Sequence, residues 1–205
     1  MANNIFSEII NISKKFVAPV MGIAQDGCGV FVGNRFITAG HVAKPDGFPY
    51  SAYNAGKKYV LDNTNLLAYR YSEQLTAEHD CGDYAVFSVE GVDSPLKIAD
   101  YRPKEGQELL CVYYDTEVSN HPEEGIPQIF TTSDEIVQKT TIVTVRKESQ
   151  GNFFAVDSAD FLKVGNSGSP LIDADGNVVG ILRGGQLGTQ HCIFQYVNTI
   201  EQLKP

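Results

Sequence analysis

A single serine held between glycines, in Val164-Gly165-Asn166-Ser167-Gly168-Ser169-Pro170-Leu171, restricts this chain more than any other stretch. Glycine on both sides permits a tight backbone bend that larger residues resist. The apolar run Pro170-Leu171-Ile172 then reads as the start of a strand. A sharp turn of this kind can aim successive N–H groups into one concavity, which suits negative charge developing on an oxygen. Serine beside glycine is also common in ordinary loops, so the turn gains meaning only from partners elsewhere.

The rest of the chain reads as short β-prone runs separated by turn signals. Residues 17–24 and 29–32 are apolar segments split by Gln25-Asp26-Gly27, and Gly33-Asn34-Arg35 is a second tight turn. Residues 36–39, 57–61, 66–71 and 84–89 supply further strands of a first half, with 44–53 read as a Pro/Gly/Tyr-rich loop. A second half opens with residues 108–114 and continues through 140–146, 153–156 and 178–182. Asp173-Ala174-Asp175-Gly176-Asn177 is the hairpin turn before the last of these, and residues 121–127 are a polar loop that could act as a flap. Ile5, Ile9, Ile12 and Phe16 recur at helical spacing after Asn3 and Asn4, which can cap them. Packing of that helix on the outside of a barrel is favoured over a partner-binding arm. Asn198-Thr199-Ile200-Glu201 resembles a capping box opening a C-terminal helix. The expected organisation is an N-terminal helix over 1–15, a first β half over 16–95, a connection over 96–106, a second β half over 107–197 and a helix over 198–205. The class is all-β, barrel or sandwich.

Two upstream segments supply partners for Ser167. His41 ends the run Phe36-Ile37-Thr38-Ala39-Gly40-His41, and Asp83 opens Asp83-Tyr84-Ala85-Val86-Phe87. A serine hydroxyl is a weak nucleophile at neutral pH and needs a base within reach. An imidazole titrates near neutrality and can return the proton to a leaving group. A carboxylate can fix the imidazole tautomer and stabilise its cation. Asp80 and Ser169 compete for the carboxylate and hydroxyl roles. Asp83 is preferred because apolar alternation follows it directly.

These three segments, in the order His, Asp, Ser, resemble the trypsin/chymotrypsin superfamily, with its signatures T-A-x-H, D-x-A-hydrophobic and G-[DN]-S-G-[GS]-P. Gly165 to Pro170, followed by Val178-Val179-Gly180-Ile181-Leu182-Arg183-Gly184-Gly185, is most similar to the compact single-chain branch. That branch holds glutamyl endopeptidases, high-temperature-requirement proteases and the main proteases of positive-strand RNA viruses. The resemblance implies two six-stranded antiparallel β-barrels with a cleft between them, and a serine endopeptidase working through an acyl-enzyme on a narrow set of substrates. It implies His41, Asp83 and Ser167 as catalytic residues, and Gly165, Asn166 and Ser167 as the oxyanion hole, with Gly165 and Ser167 donating. Phe161, Leu162, Lys163, Val164, Leu182, Arg183, Gly184 and Gly185 would line the substrate pocket. A catalytically silent binding module on the same fold is the alternative function.

Two departures from the family pattern carry information. Asn166 stands where zymogen-derived enzymes have an aspartate that pairs with a newly cut N-terminus, so the site is expected to be preformed or ordered by another trigger. Leu182 stands where glutamyl endopeptidases have the histidine that reads an acidic side chain. An apolar or small residue before the scissile bond is therefore expected, with Arg183 or Lys163 as the groups that could admit an acidic one.

Composition narrows the partners. The 205 residues carry a formal net charge of −9, which argues against nucleic acid and anionic membrane as main partners. The expected partner is a protein or polyprotein substrate. The four cysteines, Cys28, Cys81, Cys111 and Cys192, show no close metal-ligand spacing, and no cofactor is expected. In secreted relatives a cysteine near the position of Cys28 pairs with one soon after the histidine. Here Val42-Ala43-Lys44 follows instead. Unbridged cysteines and the absence of a basic, apolar leader in residues 1–8 give the expectation of a reducing compartment: the cytoplasm of a cell, or of a host if the chain is viral.

Overall fold

A computed structural model describes residues 5–22, 26–72, 82–115, 137–147, 151–157, 165–185 and 191–204. Seven strands form a first antiparallel sheet: β1 (Val17–Met21), β2 (Gly27–Val32), β3 (Arg35–Thr38), β4 (Tyr50–Asn54), β5 (Lys57–Leu61), β6 (Leu66–Tyr71) and β7 (Asp83–Ser88). Their order is β5-β4-β1-β2-β3-β7-β6. The β2–β3 hairpin turns at Gly33, whose φ of +56° is the left-handed geometry that glycine adopts without a Cβ penalty. The sheet curls around Phe31, Phe36, Tyr50, Leu61 and Phe87, all fully buried.

The second sheet holds β8 (Lys97–Ile98), β9 (Glu108–Asp115), β10 (Val137–Lys147), β11 (Phe153–Asp157), β12 (Pro170–Ile172), β13 (Asn177–Gly185) and β14 (His191–Tyr196). β12 pairs with both β9 and β13, so six strands close on themselves, and β8 adds in parallel to β13. Leu109, Val143, Phe154, Leu182 and Phe194 fill this barrel. A third cluster joins the two sheets and contains Val30, Ile37, Val86, Leu110, Val112 and Ile181.

The two-barrel, all-β expectation holds, with corrections of detail. The first sheet has seven strands and is a half-barrel: β5 and β6 at its ends share no pairing among the described residues. The extra strand is β4, in the stretch read from sequence as loop. Tyr50 and Ala52 alternate inward, and Ala55-Gly56 turns the chain back through φ of 48° and 76°. The glycine and prolines that suggested a loop lie just ahead of it, around the 3-10 turn Pro45–Gly47. In the second half, β14 and the two-residue β8 were not anticipated.

The terminal helices are also shorter than expected. The N-terminal helix α1 spans Ser7–Ser13, with Phe6 at its N-cap and no side-chain cap. Asn3 and Asn4 lie outside the described residues. As expected, the helix packs on the outside: Phe6 and Ile9 are buried in the joining cluster, with Ile9 against the Gly176 turn. Among the described residues of the expected C-terminal helix, two 3-10 turns, Val197–Thr199 and Glu201–Leu203, stand in its place. Thr199 Oγ1 donates to the Tyr196 carbonyl at 2.7 Å and accepts from Gln195 Nε2 at 2.8 Å, so it is not free to cap. Ile200 between the turns is extended, with φ −85° and ψ 109°, which stops helical propagation. The loop over 121–127 lies outside the described residues.

Candidate active site

β3 ends at Thr38, and the turn that follows places His41 on the lip of the first sheet. Gly40 makes this possible: a Cβ there would lie 2.1 Å from the Arg70 carbonyl oxygen and 3.0 Å from the Tyr84 backbone. The close backbone approach brings His41 beside the start of β7, where Asp83 is wholly buried. Asp83 Oδ1 accepts the backbone N–H of His41 at 2.9 Å, and Oδ2 lies 2.8 Å from the ring Nδ1. A carboxylate oxygen can only accept, so this geometry puts the proton on Nδ1 and leaves Nε2 as the basic nitrogen. The imidazole keeps 22% of its side-chain surface exposed, enough to meet a substrate. Tyr71 sits 6.0 Å from it, ring centre to ring centre.

The serine turn comes from the other barrel. Gly165 and Gly168 adopt φ of +96° and +89°, which confirms the need for glycine on both sides of the bend. The turn is pinned to the first sheet. The Cys28 N–H donates to the Ser167 carbonyl at 2.7 Å. A Cβ on Gly168 would fall 2.0 Å from the Cys28 carbonyl oxygen and 2.6 Å from Thr38 Oγ1. A Cβ on Gly27 would meet both Val42, the residue after His41, and the Ser167 carbonyl within 3 Å. Ser167 and the His41 turn thus converge on one point of β2. Within the second barrel, Gly168 N–H donates to Leu182 O at 2.7 Å and Leu182 N–H to Ser169 O at 2.8 Å, so the turn is held from both sides.

Ser167 is partly exposed, and its Oγ has one long hydrogen bond, to the Arg183 carbonyl at 3.5 Å. Among the described residues it makes none with His41. Bonds between nucleophile and base are commonly loose without substrate. The N–H groups of Gly165 and Ser167 also donate to no described group, which leaves them available to an anionic oxygen. Asn166 is buried beneath the turn.

Two of the residues read as pocket walls sit differently from that reading. Leu182 is buried inside the second barrel. The Arg183 guanidinium turns toward the first barrel, with Nε 3.9 Å from Asp83 Oδ2 and Nη2 donating to the Ser72 carbonyl at 2.8 Å. Gly184 faces open space, since a Cβ there would touch nothing within 4 Å, and Gly185 is exposed. Phe161, Leu162, Lys163 and Val164, and the competing Asp80, lie outside the described residues. Sequence reasoning missed Gln195, whose Oε1 accepts the Asp83 backbone N–H at 3.2 Å across the barrel interface. A lone glutamine in an unrecognised strand gave no signal.

Burial disfavours ionisation of the described thiols. Cys28, closest to the serine turn, is a free, buried thiol pushed up to about 12 by burial, so it stays protonated at neutral pH. Burial does the same to Cys192, up to about 12. Tyr69 is likewise pushed up to about 12, first by burial and then by the charges of Asp46 and Asp83. No group of three or more metal-ligating side chains occurs among the described residues.

Two sheets joined through one core, with the serine turn of the second pinned to β2 of the first, give a two-barrel all-β fold. The profile of the trypsin-like peptidase domain matches residues 27–181, and the chain belongs to that family. It is a trypsin-like serine endopeptidase. No curated protein matches it in sequence. Among solved structures it is similar to the active form of the Rv3671c protease from M. tuberculosis, with a TM-score of 0.70, 15% identity, and 99% of this chain and 85% of that one covered. It is also similar to a Glu endopeptidase in complex with MPD, with TM-score 0.64, 15% identity and 96% and 88% coverage. The product complex of tobacco etch virus protease gives TM-score 0.59, 15% identity and 91% and 75% coverage. At such identities these likenesses bear on the fold.

Proposed function

We propose that the chain hydrolyses peptide bonds in a narrow set of protein substrates through a Ser167–His41–Asp83 triad and an acyl-enzyme. The observation that carries this reading is the two-point hold of the fully buried Asp83 on His41, at 2.9 and 2.8 Å. His41 Nε2 takes the Ser167 proton as Oγ attacks the scissile carbonyl. The imidazolium that forms is stabilised by Asp83 and gives the proton to the departing amine. The carbonyl carbon becomes tetrahedral, and its oxyanion is held by the N–H groups of Gly165 and Ser167. Loss of one such donor typically costs about 3–4 kcal/mol of barrier. Water then repeats the sequence on the acyl-enzyme and frees Ser167.

The backbone of Arg183, Gly184 and Gly185 offers an open strand along which an extended peptide can lie, because Gly184 presents no side chain. We place an apolar or small residue before the scissile bond. The Arg183 guanidinium faces Asp83 and Ser72, which removes one of the two cations that could have recognised an acidic residue. Cleavage profiling with a diverse peptide library tests both points. Cuts made by the wild type and lost in Ser167→Ala support the endopeptidase. Cuts that persist in Ser167→Ala assign the nucleophile elsewhere, and cuts after Glu or Asp overturn the specificity.

A further inference from the structure

Lys44 follows His41 closely in the chain, and the backbone between them is held. The Val42 and Ala43 N–H groups both donate to the Ala39 carbonyl, at 3.2 and 3.4 Å. Lys44 itself is the N-cap of the 3-10 turn Pro45–Gly47, and its carbonyl accepts the Gly47 N–H at 2.9 Å. Pro45 fixes φ at the first position of that turn. The side chain is placed as firmly. Its Nζ stands 4.8 Å from the centre of the Tyr71 ring, and that centre is 6.0 Å from the centre of the His41 ring. Ammonium, phenol ring and imidazole thus stand in sequence beside the catalytic histidine, on the first-barrel wall of the cleft.

This cation has no anion of its own. Lys44 is partly exposed and makes no ion pair among the described residues, although Asp46 lies two residues on in the same turn. The face of an aromatic ring holds a cation without neutralising it. Arg183, on the opposite wall, differs. It is 12% exposed, its Nη2 donates to the Ser72 carbonyl at 2.8 Å and its Nε faces Asp83.

We propose that Lys44 is a specificity-determining residue, whose ammonium, held over Tyr71, recognises an acidic side chain at the second residue before the scissile bond. This rests on the endopeptidase reading above. The carbonyl under attack lies at Ser167 Oγ, itself 3.5 Å from the Arg183 carbonyl, so the substrate chain runs beside β13. Successive side chains of an extended peptide point to opposite sides. With the first side chain directed to the second barrel, the next one upstream faces the first, where His41, Tyr71 and Lys44 stand. A carboxylate there meets a positioned cation in a partly desolvated cleft, where the attraction exceeds its value in water. The whole chain, at a net charge of −9, repels an acidic peptide at long range. A preference for acid at one position therefore has to come from a local cation.

The test uses pairs of peptides that the wild type cleaves, identical except for Glu or Gln at the second residue before the cut. It reads the ratio of kcat/KM within each pair, so a general loss of activity in a variant cancels. The wild type should favour Glu by about fivefold, mainly through KM. Lys44→Arg should keep that preference, Lys44→Gln should abolish it, and Lys44→Glu should favour Lys over Gln at the same position. Should the variants fail to fold, the salt dependence of the wild-type ratio decides. Attraction to Lys44 gives a preference for Glu that fades as salt is raised, whereas the overall charge alone disfavours Glu and does so less at high salt. Wild-type indifference or a preference for Gln overturns the proposal. A preference for Glu that survives Lys44→Gln overturns it too, as does one that a peptide library places at another position. Failure of the endopeptidase reading looks different: cleavage would then survive Ser167→Ala.

Discussion

Asp83 grips His41 at two atoms, accepting its backbone N–H on Oδ1 at 2.9 Å and facing its ring Nδ1 with Oδ2 at 2.8 Å. One bond fixes where the histidine turn sits, and the other fixes which ring nitrogen carries the proton. Asp83→Asn separates these functions. The amide oxygen can still accept from one partner, but its NH2 faces the other and favours the wrong tautomer. We expect kcat to fall by about four orders of magnitude, as such exchanges do. The melting temperature should change little. Loss of folding together with activity would assign Asp83 a chiefly structural part.

Gly168→Ala tests the clamp between the barrels. Its Cβ would sit 2.0 Å from a main-chain carbonyl, at a φ of +89° that alanine tolerates poorly. Neither neighbour is the flexible end of a long side chain, so the turn must move. We expect a destabilisation of about 3 kcal/mol or more in urea unfolding, with activity lost at temperatures where the protein is still folded. Gly184→Ala, with open space around it, should lie within about 1 kcal/mol of wild type.

Gln195 ties the acid to the opposite barrel. Its Oε1 takes the Asp83 backbone N–H at 3.2 Å, and its Nε2 reaches Thr199 Oγ1 at 2.8 Å. Gln195→Leu leaves that buried N–H without a partner, a loss of about 1–3 kcal/mol. Calorimetry should show the lower stability. A smaller fall in kcat should follow, since Asp83 keeps both contacts to His41.

Alkaline pH should weaken the fold through the buried thiols. Cys28 and Cys192 go from an ordinary value of 9.0 to about 12 on burial. Below pH 9 both states hold these protons and the stabilisation is complete. Between pH 9 and about 12 the unfolded chain ionises first, so stability falls as pH rises. For the fully buried Cys28 the slope is about 1.4 kcal/mol per pH unit. Urea midpoints measured from pH 8 to 11 should decline through this window. In the same folded protein, Cys28, Cys111 and Cys192 should resist alkylation at pH 8 and react once unfolded.

The parts of the fold that were legible in the sequence are those with strong local chemistry. Glycine at 165 and 168 announces a bend because no other residue takes those φ values cheaply. Regular alternation in Asp83-Tyr84-Ala85-Val86-Phe87 announces β7 and, with it, where the carboxylate sits. The missed elements lack such local signatures. β4 hides behind Pro45, Gly47 and Pro49 and is a strand because β1 and β5 pair with it on either side. The Asn198–Glu201 stretch has the residues of a helix cap, but tertiary hydrogen bonds claim Thr199 first. Arg183 was read by position as a pocket wall. Only the long-range approach of β6 and β7 to β13 reveals that its guanidinium belongs to Asp83.

Reaction with a fluorophosphonate, followed by peptide mapping of the labelled residue, tests the central claim most directly. The triad account predicts one covalent adduct, on Ser167, formed by the wild type and abolished in Ser167→Ala. Slow or absent labelling is expected in His41→Ala, where the base is gone. An adduct on any other residue, or a folded wild type that stays unlabelled while cleaving peptide, would contradict it.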